Sequence, residues 1–162
     1  MIAGSFRAAS IVLFLALASP AAAGHGSSAV EALPPAARAP AETVDAFHAA
    51  LGRGATEAAL ALLAEDALIF EEGRAERSKA EYAAHHLGAD AAFSQAVPAV
   101  RTRRRGDAAA DLAWIATEGR TKGSYKGTDV NRVTAETMLL RRVGEAWKIV
   151  HIHWSSAQAS TE

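Results

Sequence analysis

The feature that most constrains the fold of this 162-residue chain is a change of pattern at Pro98. Before Pro98 the apolar residues recur with the spacing of α-helices. After it come segments rich in Val, Ile, Thr and Trp, separated by Gly-containing turns, which is typical of strands. Helices followed by strands predict one α+β domain in which N-terminal helices pack on an antiparallel sheet.

Amphipathic spacing predicts the first two helices. Val44, Phe47 and Leu51 fall at i, i+3 and i+7 and therefore share one helical face. Glycines at 52 and 54 are expected to end that helix, and a second short helix is predicted through residues 57–63. The apolar residues 68–70 then predict a short strand.

A capping box predicts the start of the next helix. The hydroxyl of Ser78 is placed to accept the amide of Glu81, while the Glu81 carboxylate reaches back. The helix is expected to run from Lys79 to about Leu87, with Gly88 ending it in a left-handed conformation. Further helical turns are predicted over residues 92–97.

Strands are predicted after Pro98 over residues 100–105, 112–121, 130–143 and 146–155. Turns at 125–128 and at Gly144-Glu145 would join the last three into an antiparallel meander. Arg101, Arg103 and Arg105 alternate along the first strand and are therefore expected on one solvated face, with an anion-binding patch as the alternative.

Composition narrows the classes of partner. A formal net charge of -1 and 22% charged residues do not favour a nucleic-acid-binding protein. The chain has no cysteine, which excludes disulfides and lipoprotein attachment through an N-terminal Cys. The expected partner is therefore a small-molecule ligand held in a pocket.

The N-terminus has the pattern of a Sec-type export signal. Arg7 precedes an apolar run over 8–17, and Ala21-Ala22-Ala23 supplies small residues for cleavage. A periplasmic or secreted protein with no membrane partner after cleavage is expected, and a retained N-terminal anchor is the alternative. The predicted domains are a signal peptide (1–23), a disordered linker (24–40), the folded domain (41–156) and a flexible tail (157–162).

Two stretches resemble known proteins. Residues 57–67 resemble the second helix and first strand of the nuclear transport factor 2-like superfamily, and the hairpin 136–155 is similar to the ending of SnoaL-like domains and of the calcium/calmodulin-dependent kinase association domain. The resemblance covers about residues 41–156. It implies a cone-shaped, cystatin-like fold that is commonly dimeric. It implies no single activity, because the superfamily includes isomerases, cyclases, dehydratases, carriers and assembly modules.

The C-terminal hairpin predicts which side chains meet. A turn at Gly144-Glu145 pairs Val143 with Ala146, and the same register places Leu140 opposite Ile149, Met138 opposite His151 and Glu136 opposite His153. Side chains alternate along a strand, so the face with Trp147, Ile149 and both histidines is expected to line the cone. The opposite face would then pack a second subunit through Val150, Ile152 and Trp154.

The candidate site follows from this register. Its catalytic candidates are Glu136, His151 and His153, and its ligand-binding candidates are Tyr82, His85, His86, Trp114 and Met138. No cofactor is required, but a divalent metal such as zinc or copper could be held by the imidazoles of His85, His86, His151 and His153. The alternative is hydrogen-bonded core histidines without a chemical role. His48 is interpreted as a partly buried helix residue.

The sequence thus predicts an exported small-molecule-binding protein whose pocket is lined by His and Glu, and which could act as a lyase, an isomerase or a metal binder. The alternative function is a non-catalytic dimerisation or accessory module. A homodimer is expected in both cases, through the face that carries Val150, Ile152 and Trp154.

Overall fold

A computed structural model describes residues 32–160, in which helices pack on one curved sheet. A 3-10 turn at Pro35–Ala37 leads into helices α1 (Arg38–Gly52), α2 (Thr56–Leu62), α3 (Lys79–His85) and α4 (Leu87–Ala96). The strands are β1 (Leu63–Glu71), β2 (Arg74–Glu76), β3 (Ala99–Ala109), β4 (Leu112–Tyr125), β5 (Thr128–Val143) and β6 (Ala146–Gln158). The signal peptide and residues 24–31 of the predicted linker lie outside the described residues.

The six strands form one sheet in the order β2-β1-β6-β5-β4-β3. The antiparallel meander predicted for the last three strands is confirmed for β4 to β6, and β3 extends it. β1 pairs with β6 in parallel. The turn between β4 and β5 has positive φ at Lys126 and Gly127, the geometry of a tight hairpin. Each of the last four strands is therefore adjacent in space to its neighbour in sequence.

The core lies between the helices and the face of the sheet that is turned toward α1, which we call the inner face. Val44 and Phe47 of α1 are fully buried against Ile115, Met138 and Ile149 of the sheet. Burying one such side chain contributes about 1.5–3 kcal/mol to the free energy of unfolding. The amphipathic face predicted for α1 is the face that packs on the sheet.

The folded domain is longer at both ends than predicted. Helix α1 begins at Arg38 and tolerates Pro40, because the first turn of a helix has no intrahelical partners for its N–H groups. Ala37 is fully buried, so the last part of the predicted linker belongs to the domain. At the other end β6 continues to Gln158, and the amide of Ala159 donates to the Asn131 carbonyl oxygen at 2.9 Å. Residues 157–159 of the predicted tail are therefore attached to the sheet, and residues 161–162 lie outside the described residues.

The predicted capping box is confirmed, but the predicted end of the same helix is not. The Glu81 amide donates to Ser78 Oγ at 3.1 Å, and the Glu81 carboxylate accepts from the Arg77 amide at 2.6 Å. The predicted left-handed end at Gly88 is wrong: α3 ends at His85, and Gly88 lies inside α4. None of the helices within residues 32–160 has the length and apolar character needed to cross a bilayer.

Candidate functional site

A β-bulge at Val150 decides which residues face the interior. Leu140 pairs with Ile149 as predicted, but Leu139 pairs with His151, so the intervening Val150 has no partner on β5. Beyond the bulge Met138 lies opposite Ile152 and Glu136 opposite Trp154. The predicted pairs of Met138 with His151 and of Glu136 with His153 are therefore wrong, because one extra residue shifts the register.

The bulge also exchanges the two faces of β6. Ile152 is fully buried on the inner face, so neither it nor Trp154 forms the predicted subunit interface. His151 and His153 lie on the opposite, outer face, where the ring of Phe70 contacts both imidazoles edge-on. His151 Nδ1 is 2.8 Å from the Leu68 carbonyl oxygen. The two histidines therefore do not line the interior of the cone.

Glu136 is the predicted catalytic residue that does face the interior. Its side chain is 9% exposed, and Oε2 lies 2.7 Å from Nε2 of His48 on α1. The indole Nε1 of Trp154 donates to the same oxygen at 2.7 Å. A carboxylate from the sheet and an imidazole from a helix thus meet where α1 packs on β5 and β6.

The charge of Glu136 is set by opposing effects. Burial by itself raises the pKa of a carboxyl group, but the hydrogen bond and charge of His48 and the hydrogen bond from Trp154 outweigh it, with Arg104 adding a smaller contribution. The pKa of Glu136 is therefore lowered, and the group is ionised at neutral pH. The His48 side chain remains 42% exposed, so solvent reaches one side of the pair.

A second bulge, in β3, brings two arginines toward helix α1. β3 shifts register between Arg101 and Arg103, so the expected solvated face of alternating arginines is broken. Arg101 and the buried Arg104 both donate to Asp45 Oδ1 of α1, at 3.0 and 2.7 Å. Arg104 Nε also donates to Thr117 Oγ1 at 3.1 Å. Both guanidinium groups face α1 and share the single carboxylate of Asp45, so Arg101 does not lie on the solvated face that the alternation predicted.

Aromatic rings fill the interior beside Glu136. Phe47 and Trp154 are stacked, with centroids 6.3 Å apart and planes 22° apart. Tyr82 also lies beside Trp154, with ring centroids 6.4 Å apart. Of the predicted ligand-binding residues, Tyr82 and Met138 are fully buried here, whereas Trp114 lies on the outer face and is 42% exposed.

A second polar cluster lies where α3 and α4 meet β1 and β2. The Tyr82 hydroxyl donates to Asp90 Oδ2 at 2.9 Å. Burial, followed by the charges of neighbouring carboxylates, raises the pKa of Glu71. Burial raises the pKa of Asp90 against the opposing hydrogen bond from Tyr82. The adjoining cavity of about 10 Å³ has room for one water.

The predicted metal site is not formed. His85 and His86 both contact the buried carboxylate of Glu76, while His151 and His153 are on the outer face. Across residues 32–160, no three His, Asp or Glu side chains are placed to hold one metal ion. His85 and His86 share Glu76, whereas His151 and His153 lie on the outer face, so the four imidazoles do not converge.

The residue that sequence reasoning missed is His48. It follows Phe47 and lies one turn after Val44, on the edge of the buried face of α1. That position was the one signal in the sequence, because a polar residue at the edge of a buried helix face lies close to the sheet on which the helix packs. Its partner Glu136 could be found only with the correct register of β5.

The fold and site define an α+β protein of the cystatin-like class, whose curved sheet and helices enclose a polar pair. Residues 41–159 match the family model of the SnoaL-like domain. The chain therefore belongs to the SnoaL-like family.

Solved structures agree with this assignment. A proposed ketosteroid isomerase from Shewanella frigidimarina NCIMB 400 is 34% identical, with a TM-score of 0.72 over 76% of this chain and 100% of that chain. A proposed NTF2-like dehydratase from Streptomyces avermitilis is 17% identical, with a TM-score of 0.66 over 76% of this chain and 98% of that one. A proposed calcium/calmodulin-dependent protein kinase II association domain from Xanthomonas campestris is 20% identical, with a TM-score of 0.66 over 80% of this chain and 95% of that one. The latter two share the fold alone. The search of curated proteins returned no match.

Proposed function

We propose that this protein binds a small organic molecule beside His48 and Glu136 and moves a proton on it, as an isomerase or lyase does. The observation that carries the proposal is the 2.7 Å contact between a buried, ionised carboxylate and a half-exposed imidazole. Histidine is the side chain whose charge changes most readily near neutral pH. A 34% identical relative is a proposed ketosteroid isomerase, and an isomerisation of that kind needs such a proton transfer.

In this proposal the two residues have different tasks. His48 Nε2 faces Glu136, so Nδ1 is the nitrogen that exchanges a proton with the ligand. Glu136 orients the ring and stabilises the imidazolium that forms when Nδ1 takes a proton. Returning that proton to a different atom of the ligand completes an isomerisation without net gain or loss of protons. His48 is thus the acid–base residue and Glu136 its positioning residue.

Thermal unfolding against a panel of apolar ketones and alcohols tests the site. Ligand at 100 times its Kd stabilises the folded state by about 2.7 kcal/mol, which raises the Tm. We expect His48→Gln and Glu136→Gln to lose this rise, and Glu118→Gln, which changes an exposed carboxylate of β4, to keep it. A rise that persists in both site variants, or a panel without any rise, would contradict the proposal.

A second candidate function, assembly through the outer face of the sheet, is favoured by an exposed apolar patch. Trp114 pairs with Leu139, and Leu139 with His151, so large side chains run across neighbouring strands. Trp114 and Leu139 are 42% and 41% exposed. A groove of about 620 Å³ on the same strands is lined by small residues, which include Ala135 and Ser155, together with Glu118 and Arg120. A two-fold axis would place the bulky patch of one copy against the groove of another.

Sedimentation of charge variants tests this assembly. We expect the wild-type protein to sediment as a dimer and Leu139→Glu to sediment as a monomer, because an unpaired carboxylate would be buried in the interface. Ala58→Glu, on the exposed side of α2 and away from the sheet face, is the control and should remain dimeric. A monomeric wild type, or a Leu139→Glu variant that stays dimeric, would exclude the outer face as the interface.

A further inference from the structure

Two adjacent imidazoles hold one buried carboxylate where α3 docks on the β1–β2 hairpin. The carboxylate belongs to Glu76 of β2, and each of its oxygens contacts a different ring. Nδ1 of His85 lies 3.2 Å from Oε2, and Nδ1 of His86 contacts Oε1. Because an ionised carboxylate only accepts hydrogen bonds, each Nδ1 donates. These contacts join β2 to the point where α3 ends and α4 begins.

Further charged groups surround the same imidazoles. Burial, followed by the charge of Asp90 on α4, raises the pKa of Glu71 on β1, and the charge of His86 opposes this. Burial also raises the pKa of Asp90, against the hydrogen bond from Tyr82 and the charge of His86. Arg74 of β2 lines the small cavity beside them. The charge of a protonated His86 therefore acts on the carboxylates of β1, β2 and α4 together.

Raising the pH weakens this cluster. An imidazole loses its proton near pH 6.5, and a neutral ring makes a weaker hydrogen bond to a carboxylate than a charged ring does. The raised pKa values of Glu71 and Asp90 give a contribution to stability that is present below pH about 4 and is lost as the pH rises through those values. Burial raises the pKa of Glu76, but the hydrogen bonds from the two imidazoles outweigh it, so this carboxylate loses its charge only in acid.

Helix α3 covers part of the aromatic interior. Its Tyr82 is fully buried and lies beside Trp154. α3 has seven residues and is too short to be stable by itself in water, so its contacts with the sheet hold it in place. Lys79 of α3 makes a second contact with the sheet, to the exposed Glu65 of β1. Weakening the contacts of Glu76 therefore favours local opening of α3.

We propose that Glu76, His85 and His86 form a pH-dependent latch, which holds α3 over the interior in mildly acidic conditions and loosens it as the pH rises above neutrality. Local opening of α3 removes Tyr82 from its place beside Trp154 and so uncovers the interior. The latch goes beyond the proposed function and does not depend on it, because it concerns the position of a helix and not the chemistry beside the α1 histidine.

Hydrogen exchange of α3 amides at pH 5.5 and pH 8 tests the latch. The amides of Tyr82 and His86 donate to the carbonyl oxygens of Ser78 and Tyr82, at 3.1 Å each, so they exchange when α3 opens. Each rate is divided by the intrinsic rate at the same pH to give a protection factor. We expect both protection factors to be about fivefold lower at pH 8, the effect of replacing a charged donor by a neutral one. Amides of α1, which packs in the core, should change much less.

Two variants complete the test. The double variant His85→Asn with His86→Asn keeps donors beside Glu76 that cannot be protonated, so the difference between the two pH values should disappear. Lys79→Gln is the matched control, because a lysine–glutamate pair ordinarily keeps both charges in this range, and protection should fall by a similar factor at both pH values. Equal protection of α3 at both pH values in the wild type would overturn the latch. So would a double variant that keeps the difference, or an equal loss of protection in α1. If the double variant does not fold, the wild-type comparison of α3 with α1 decides.

Discussion

At the scale of single residues, Glu136 links the stability of the protein to its function. A buried carboxylate is unfavourable unless it is paired, and here His48 and Trp154 supply the pairing. Glu136 could be identified from the sequence as a candidate, because it lies two and four residues before Met138 and Leu140 and therefore on the same face of β5. His48 could not, since its role depends on a strand far away in the sequence.

The pH dependence of stability follows from the lowered pKa of Glu136. A carboxyl group with a depressed folded-state pKa stabilises the fold above its unfolded pKa of about 4.3, and this contribution is lost as the pH falls through the folded pKa. Denaturant unfolding should therefore show Glu136→Gln less stable than wild type by about 1–3 kcal/mol at pH 7. The difference should shrink below pH about 4. A constant difference across that range would contradict the assignment.

At the scale of elements, local patterns predicted the order and type of the helices and of every strand except β2, but not their irregularities. The pairing of Leu140 with Ile149 follows from the turn at Gly144, and it was correct up to the bulge. Val150 carries no local signal of a bulge. β6 pairs with β5 on one side and β1 on the other, and the register of β1 shifts in the same region. The position of a bulge between two partners is a property of the assembled sheet.

Alanine substitutions at two glycines test the structures of β3 and α4. A Cβ at Gly106 of β3 would lie 2.7 Å from the Trp114 carbonyl oxygen, so Gly106→Ala should destabilise the protein by about 1–3 kcal/mol. A Cβ at Gly88 would meet no atom within 4 Å, and Gly88 is helical, so Gly88→Ala should stabilise the protein by up to about 1 kcal/mol. Thermal unfolding measures both. Destabilisation by Gly88→Ala would instead support the left-handed conformation predicted from the sequence.

At the scale of the whole molecule, the fold was predictable and most of the site was not. The order of helices and strands, together with the two stretches that resemble the superfamily, led to the correct fold. The site depends on how α1 lies across the sheet, and no spacing in the sequence reports that arrangement. The same limitation led to the wrong face for His151 and His153, because a single inserted residue reverses the alternation beyond it.

The domain holds the ionised interior carboxylate of Glu136 against the α1 histidine. The indole N–H signal of Trp154, followed through a pH titration, tests it most directly because that group donates to Glu136. We predict a titration midpoint below about 4.3, the ordinary pKa of a glutamate, that moves upward in His48→Gln. A midpoint at or above that value in the wild type, or one that His48→Gln leaves unchanged, would contradict the account.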